Sequence, residues 1–173
     1  FEHTLAERFA AMRSPNALDV HVFHCADWWL GSTHGRAWDA LVAAIEAEAA
    51  HVPQGVPLVI TGIGKTAAAV AVTRALVEHP DRATLEVVNI GTAGALRDGL
   101  DGLHEVGHVL NHDLSADAIR ALGFDPQEEI SLDGGRGVHL ASGDLFVSDP
   151  SVRSRLAERA HLVDMEGYAI AYA

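Results

Sequence analysis

Apolar positions along this chain fall into short runs, and the spacing of each run predicts an element. Leu5, Phe9 and Met12 share one face of a helix over 2–13, which Ser14-Pro15-Asn16 ends. Val20 and Val22, set among His21 and His24, predict a strand, and Gly31-Ser32-Thr33-His34-Gly35 predicts a turn. Further on, Val56–Ile60, Leu85–Ile90, Val106–Leu110, Val138–Ala141 and His161–Met165 have the length and branching of buried strands. Between them, Thr66–Glu78, Ala116–Leu122 and Pro150–Ala160 read as helices, the second capped by Ser115, and a last helix follows Glu166. Gly91-Thr92-Ala93-Gly94 reads as a tight turn and Gly134-Gly135-Arg136-Gly137 as a loop. Apolar strands alternating with helices predict an α/β domain with a mostly parallel or mixed central sheet flanked by helices.

One stretch supports two readings. AWDALVAAIEAEAAHV (37–52) is rich in Ala and Glu, which favours a helix. Leu41–Ile45 is also a short apolar run that can feed a helix starting at Glu46.

Charge narrows the partners. The formal net charge is −12, which disfavours nucleic acid and anionic membrane surfaces and leaves small molecules or proteins. No apolar run reaches the roughly 18–20 residues of a membrane span. The opening FEHTLAERFAAMRS is charged and lacks the apolar centre of a secretory signal. A single cysteine, Cys25, cannot form an internal disulfide and fits a reducing compartment. His21, His24, Cys25 and His34 are ligand types, but their spacing matches no zinc class, so no metal is expected.

TGIGKT (61–66), between an apolar run and an Ala/Val-rich helix, invites comparison with a phosphate-binding loop. That loop needs a first glycine where Val59 stands, and a Gly-x-Gly-x-x-Gly fingerprint needs a third where Ala67 stands. Both nucleotide signatures fail. What is left is a glycine-permitted turn, and Lys65 has no assigned task.

Four segments in order carry a family likeness: VITGIGKTAAAVAVTRAL (59–76), VVNIGTAGALRDGL (87–100), LASGDLFV (140–147) and HLVDMEGYAIA (161–171). Together they resemble the nucleoside phosphorylase/nucleosidase superfamily, most of all its hydrolytic branch of 5′-methylthioadenosine/S-adenosylhomocysteine nucleosidases. The resemblance covers about 41–173. It divides the chain into an extension over 1–38 and a nucleosidase-like α/β domain over 39–173, and it favours a strand at 41–45.

The resemblance implies hydrolysis of the N-glycosidic bond of an adenosine-type nucleoside. That reaction needs stabilisation of positive charge on the sugar, a placed water and a protonated leaving base. Glu48 matches the family's carboxylate that holds the attacking water; without the likeness the better reading is a solvated helix glutamate like Glu46. Glu166 matches the ribose clamp, since one carboxylate can accept from the 2′- and 3′-hydroxyls; its alternative is a first-turn glutamate favoured by the helix dipole. Met165 would pack on the ribose or simply in the core. Phe146 would stack on the base and the Val147 backbone would read its edge, though a lone Phe is usually core. Thr92 sits near the nucleophile, or serves the turn. Ile63 would line the pocket near the 5′ substituent. Ser142 and Asp144 flank the Phe146 loop, and Asp144 can equally bond its own backbone. Asn89 stands where phosphorolytic relatives carry an Arg, which favours water over phosphate. His112-Asp113 reads as structural. The family's general-acid Asp would lie past Ala173, and the uncapped apolar ending reads as a truncated C-terminus. No cofactor is implied; a homodimer and a cytoplasmic location are.

Overall fold

The computed structural model describes residues 19–24, 40–50, 52, 57–80, 87–132 and 135–173. The helix expected over 2–13, the turn at 31–35, Cys25 and His34 lie outside the described residues. Those residues form eight strands and five helices in one mixed sheet. In chain order these are β1 (Asp19–His24), β2 (Ala40–Ala43), α1 (Glu46–Ala49), β3 (Leu58–Ile60) and α2 (Lys65–Glu78). There follow β4 (Val87–Ala95), β5 (Gly102–Asn111), α3 (Ala116–Ala121), β6 (Glu129–Ser131), β7 (Val138–Ser142), α4 (Pro150–Ala157), β8 (Leu162–Asp164) and α5 (Gly167–Tyr172).

The ambiguous stretch resolves as a strand feeding a helix, β2 then α1. Parallel pairing with both β3 and β4 settles it, since a strand bonded on two edges outweighs the helix propensity of its alanines. β1, from the segment expected as an extension, pairs antiparallel with β4 and parallel with β5. The pairings β4–β1–β5–β7–β8 then return to β4, so these five strands close on themselves. β2 and β3 continue from β4 as an open wing.

The expected turn at Gly91–Gly94 is instead the middle of β4. All four residues pair with β1 and Gly94 pairs with β8 as well, where a Cβ would lie 3.2 Å from Val163. Ser115 makes no capping hydrogen bond to α3. A cap appears at α4, where the Asp149 carboxylate accepts from Ser151 N and Val152 N and Pro150 opens the helix. β6 was not legible as a strand, because three residues, Glu-Ile-Ser, give no period to read.

Two apolar clusters sit on opposite faces of the closed strands. One joins Ala93, Val106, Val109, Leu140, Leu162 and Tyr168; the other joins Leu96, Leu110, Ala141, Leu156 and Ala160. Leu140 and Ala141 divide between them as the two-residue period requires. Val106 and Val109 reach the same cluster despite odd spacing, because β5 shifts register between Val106 and His108. Gly107 permits this: a Cβ there would lie 1.8 Å from the Arg136 carbonyl oxygen. α2 packs against α5. Among the described residues, no helix is long and apolar enough to cross a membrane.

Candidate active site

The segments that follow five strands meet. They are the ends of β2 (Glu48), β3 (Gly62–Lys65), β5 (Asn111–Asp113), β7 (Gly143–Asp144) and β8 (Asp164–Glu166), the place where α/β sheets commonly hold ligands.

Glu48 is the third residue of α1 and is buried. Its side chain turns back to the helix start, where Oε2 accepts from Ala44 N (3.0 Å) and Ile45 N (3.2 Å). Oε1 accepts from both Thr92 N and Thr92 Oγ1, each at 2.9 Å. A carboxylate has about four lone-pair positions, so four donors saturate it. Three are backbone N–H groups fixed by the fold. The Thr92 hydroxyl is the donor that can rotate away.

Glu166 stands just before α5 and accepts from Gly64 N at 2.7 Å. Burial pushes its carboxyl up to about 7, and the neighbouring charges of Asp164 and Glu48 push the same way against the Gly64 hydrogen bond. Asp164 is half-buried and its carboxyl is raised to about 6, again chiefly by desolvation. Ser142 Oγ donates to it, Gly167 N donates at 2.7 Å and Glu166 N at 3.3 Å. Ser142 Oγ in turn accepts from Tyr168 N at 2.9 Å. Asp164 thus ties β7 to the start of α5 and sets the backbone that carries Glu166.

Lys65 follows Gly64 at the start of α2. Its ammonium donates to Asn111 Oδ1 (2.8 Å) and to Asp113 Oδ1. Burial opposes the ionised form of Asp113, but the Lys65 and Asp144 N–H hydrogen bonds hold its carboxyl below the ordinary range. Next to it, burial lowers the His112 imidazole, and its Nε2 lies buried with no hydrogen-bond partner among the described residues, close under Gly143.

No protein-family model and no curated protein matches the chain. The likeness drawn above therefore rests on its four segments alone.

Of the residues singled out from sequence, the structure joins Glu48 directly to Thr92, and Glu166 to the turn that carries Ile63. Phe146 and Ile63 project from the adjoining loops and are 75% and 64% exposed, so neither is core. Val147 is half-buried against the cluster around Leu110, which leaves its backbone rather than its side chain for a ligand. Met165 is half-buried between the two acids. Asp144 does not bond its own backbone: its Oδ1 accepts from Lys65 N at 2.7 Å. Asn89 lines a separate cavity of about 240 Å³ between the sheet and helices α2 and α5, among Val72, Leu76, Val106 and Ile170. Neither Glu48 nor Phe146 lines that cavity, and the face around Phe146 and Ile63 is open to solvent.

Asp164 and Asn111 carried no sequence assignment, and Asp113, read as structural, is a partner of Lys65. One signal was present for Asp164, a charged residue closing an apolar strand two positions before Glu166. Among the described residues no group of three His, Cys, Asp or Glu side chains is arranged to hold a metal ion.

Proposed function

We propose that this chain binds an adenosine-type nucleoside, such as 5′-methylthioadenosine or S-adenosylhomocysteine, and hydrolyses its N-glycosidic bond. The carrying observation is the convergence of Glu48 and Glu166, from β2 and β8, on the turn and strand that hold Gly64 and Thr92. In this reading Glu166 accepts from the ribose 2′- and 3′-hydroxyls. Gly64 N–H takes only part of its acceptor capacity. The base lies against Phe146, the 5′ substituent against Ile63, and Met165 beside the sugar. Glu48 holds the attacking water once the Thr92 hydroxyl rotates off Oε1, and accepts its proton as the bond from the sugar to the base breaks and positive charge develops on the sugar; the departing adenine takes its proton from solvent at the open face. The family likeness adds a homodimer and a cytoplasmic setting.

A second reading has its own support. Because protein donors fill all acceptor positions of Glu48, a chain that binds nucleoside without turnover fits this geometry too. Phosphorolysis has less, since Asn89 offers phosphate no cation and faces a different cavity.

The test is adenine release from 5′-methylthioadenosine with and without phosphate, beside calorimetric binding. Hydrolysis without phosphate, lowered ~100-fold or more by Glu48→Gln, supports the proposal. Undiminished release in that variant removes Glu48 from the role. Binding without release selects the second reading, and absence of binding sinks both.

A further inference from the structure

Lys65 opens α2, where the helix dipole disfavours a cation, and that first turn contains no acidic residue. The residue before it, Gly64, has φ of 96°, and Gly62 has φ of 80°. Two such glycines make a turn with little stiffness of its own. Yet this turn must hold Gly64 N–H on Glu166.

The surroundings of Lys65 supply what the turn lacks. Its ammonium joins Asn111 and Asp113 at the end of β5. The other Asp113 oxygen, Oδ2, accepts from Asp144 N at 2.8 Å, beyond β7. Asp144 Oδ1 then accepts from the Lys65 backbone N–H at 2.7 Å, which closes a ring of three residues from three segments. The Lys65 and Asp113 side chains are only 19% and 25% exposed, so their attraction is less screened than that of a surface pair. Phe146 follows Asp144 by two residues and Ile63 precedes Lys65 by two, so both sides of the open face hang from this ring.

We propose that Lys65 is a positioning residue: through Asp113 and Asp144 its ammonium fixes the β3–α2 turn, so that Gly64 N–H stays on the Glu166 carboxylate and the Ile63 and Phe146 loops keep their spacing. The inference takes Glu166 as the ligand-binding carboxylate of the function proposed above, but the ring exists without ligand and is testable without one. Lys65→Met keeps the length of the side chain and removes the charge.

The experiment is NMR of the native chain, Lys65→Met, Lys65→Arg and Asp113→Ala, with amide exchange at Gly64 and Asp144 and the Glu166 carboxyl ¹³C signal followed against pH. In Lys65→Met, exchange at both amides is expected to quicken about tenfold. The Glu166 titration should move upward, since the Gly64 hydrogen bond that lowers it is lost. Lys65→Arg should recover part of both effects, and Lys65→Met combined with Asp113→Ala should be no worse than either alone. If Lys65→Met does not fold, Asp113→Asn, which keeps the shape and removes the charge, is read in the same way. Unchanged exchange and an unchanged Glu166 titration in the folded variants overturn the inference, as does a fully additive double variant. A native chain that binds no nucleoside removes the proposed function, while loosening of the ring in Lys65→Met still upholds this one.

Discussion

Glu166→Gln tests the electrostatics of the site without reference to any ligand. In the folded chain the Glu166 carboxyl is raised from its ordinary 4.5 to about 7, mainly because burial disfavours its charge. The folded state therefore binds this proton more tightly than the unfolded chain does. Its contribution to stability is fully present below about pH 4.5, is lost as pH rises through about 7, and is constant beyond. A fully desolvated group shifted this far would account for at most about 3 kcal/mol, and partial access to solvent reduces this to ~1–2 kcal/mol. Glutamine cannot ionise, and its carbonyl oxygen can still accept from Gly64 N. Asp164, raised to about 6, destabilises the native chain over an overlapping window, but it is common to both proteins. The difference between their pH profiles therefore reads Glu166 together with its repulsion of Asp164. Urea unfolding from pH 4.5 to 8 should show the native midpoint falling further than that of Glu166→Gln, by about 0.5–1 M for an m-value near 2 kcal/mol/M. Parallel profiles would mean that Glu166 is not desolvated in the folded chain, and the argument would fail.

Two further variants bear on neighbouring groups. Ser142→Ala removes the buried hydroxyl that donates to Asp164 and accepts from Tyr168 N, so unfolding in urea should show a loss of about 2–3 kcal/mol, larger at pH 8 than at pH 5 because only ionised Asp164 needs that donor fully; an equal loss at both values would refute the pairing. Phe146→Ala should leave stability within ~0.5 kcal/mol, because the ring is 75% exposed, yet weaken calorimetric binding of 5′-methylthioadenosine about tenfold through the lost stack; native affinity in that variant places the base elsewhere.

Much of the fold could be read along the chain. The apolar runs at Val106–Leu110 and Val138–Ala141 mark real strands, and Thr66–Glu78 marks α2 to within one residue. These patterns are local: a strand or helix buried on one side must repeat its apolar residues at its own period. Gly91–Gly94 misled for the converse reason. Glycine and threonine signal a turn when only their own backbone freedom is considered, whereas β4 is held by partners on both edges.

The site followed the same division. Glu48 and Glu166 could be named from the segments around them, and their residue types suit the proposed chemistry. That Glu48 is saturated by Thr92 and its own helix start, that Asp164 lies beneath Glu166, and that Lys65 binds Asn111 and Asp113 could not. The contacts of Glu48 with Thr92 and of Lys65 with Asn111 and Asp113 join residues 44 to 48 positions apart, where no periodicity links them. Sequence alone determined which surfaces are apolar, that no phosphate loop is present, and which acids are available. Tertiary structure decided which of those acids face one another, because strand ends are brought together by the closing of the sheet, and desolvation acts only once they have met.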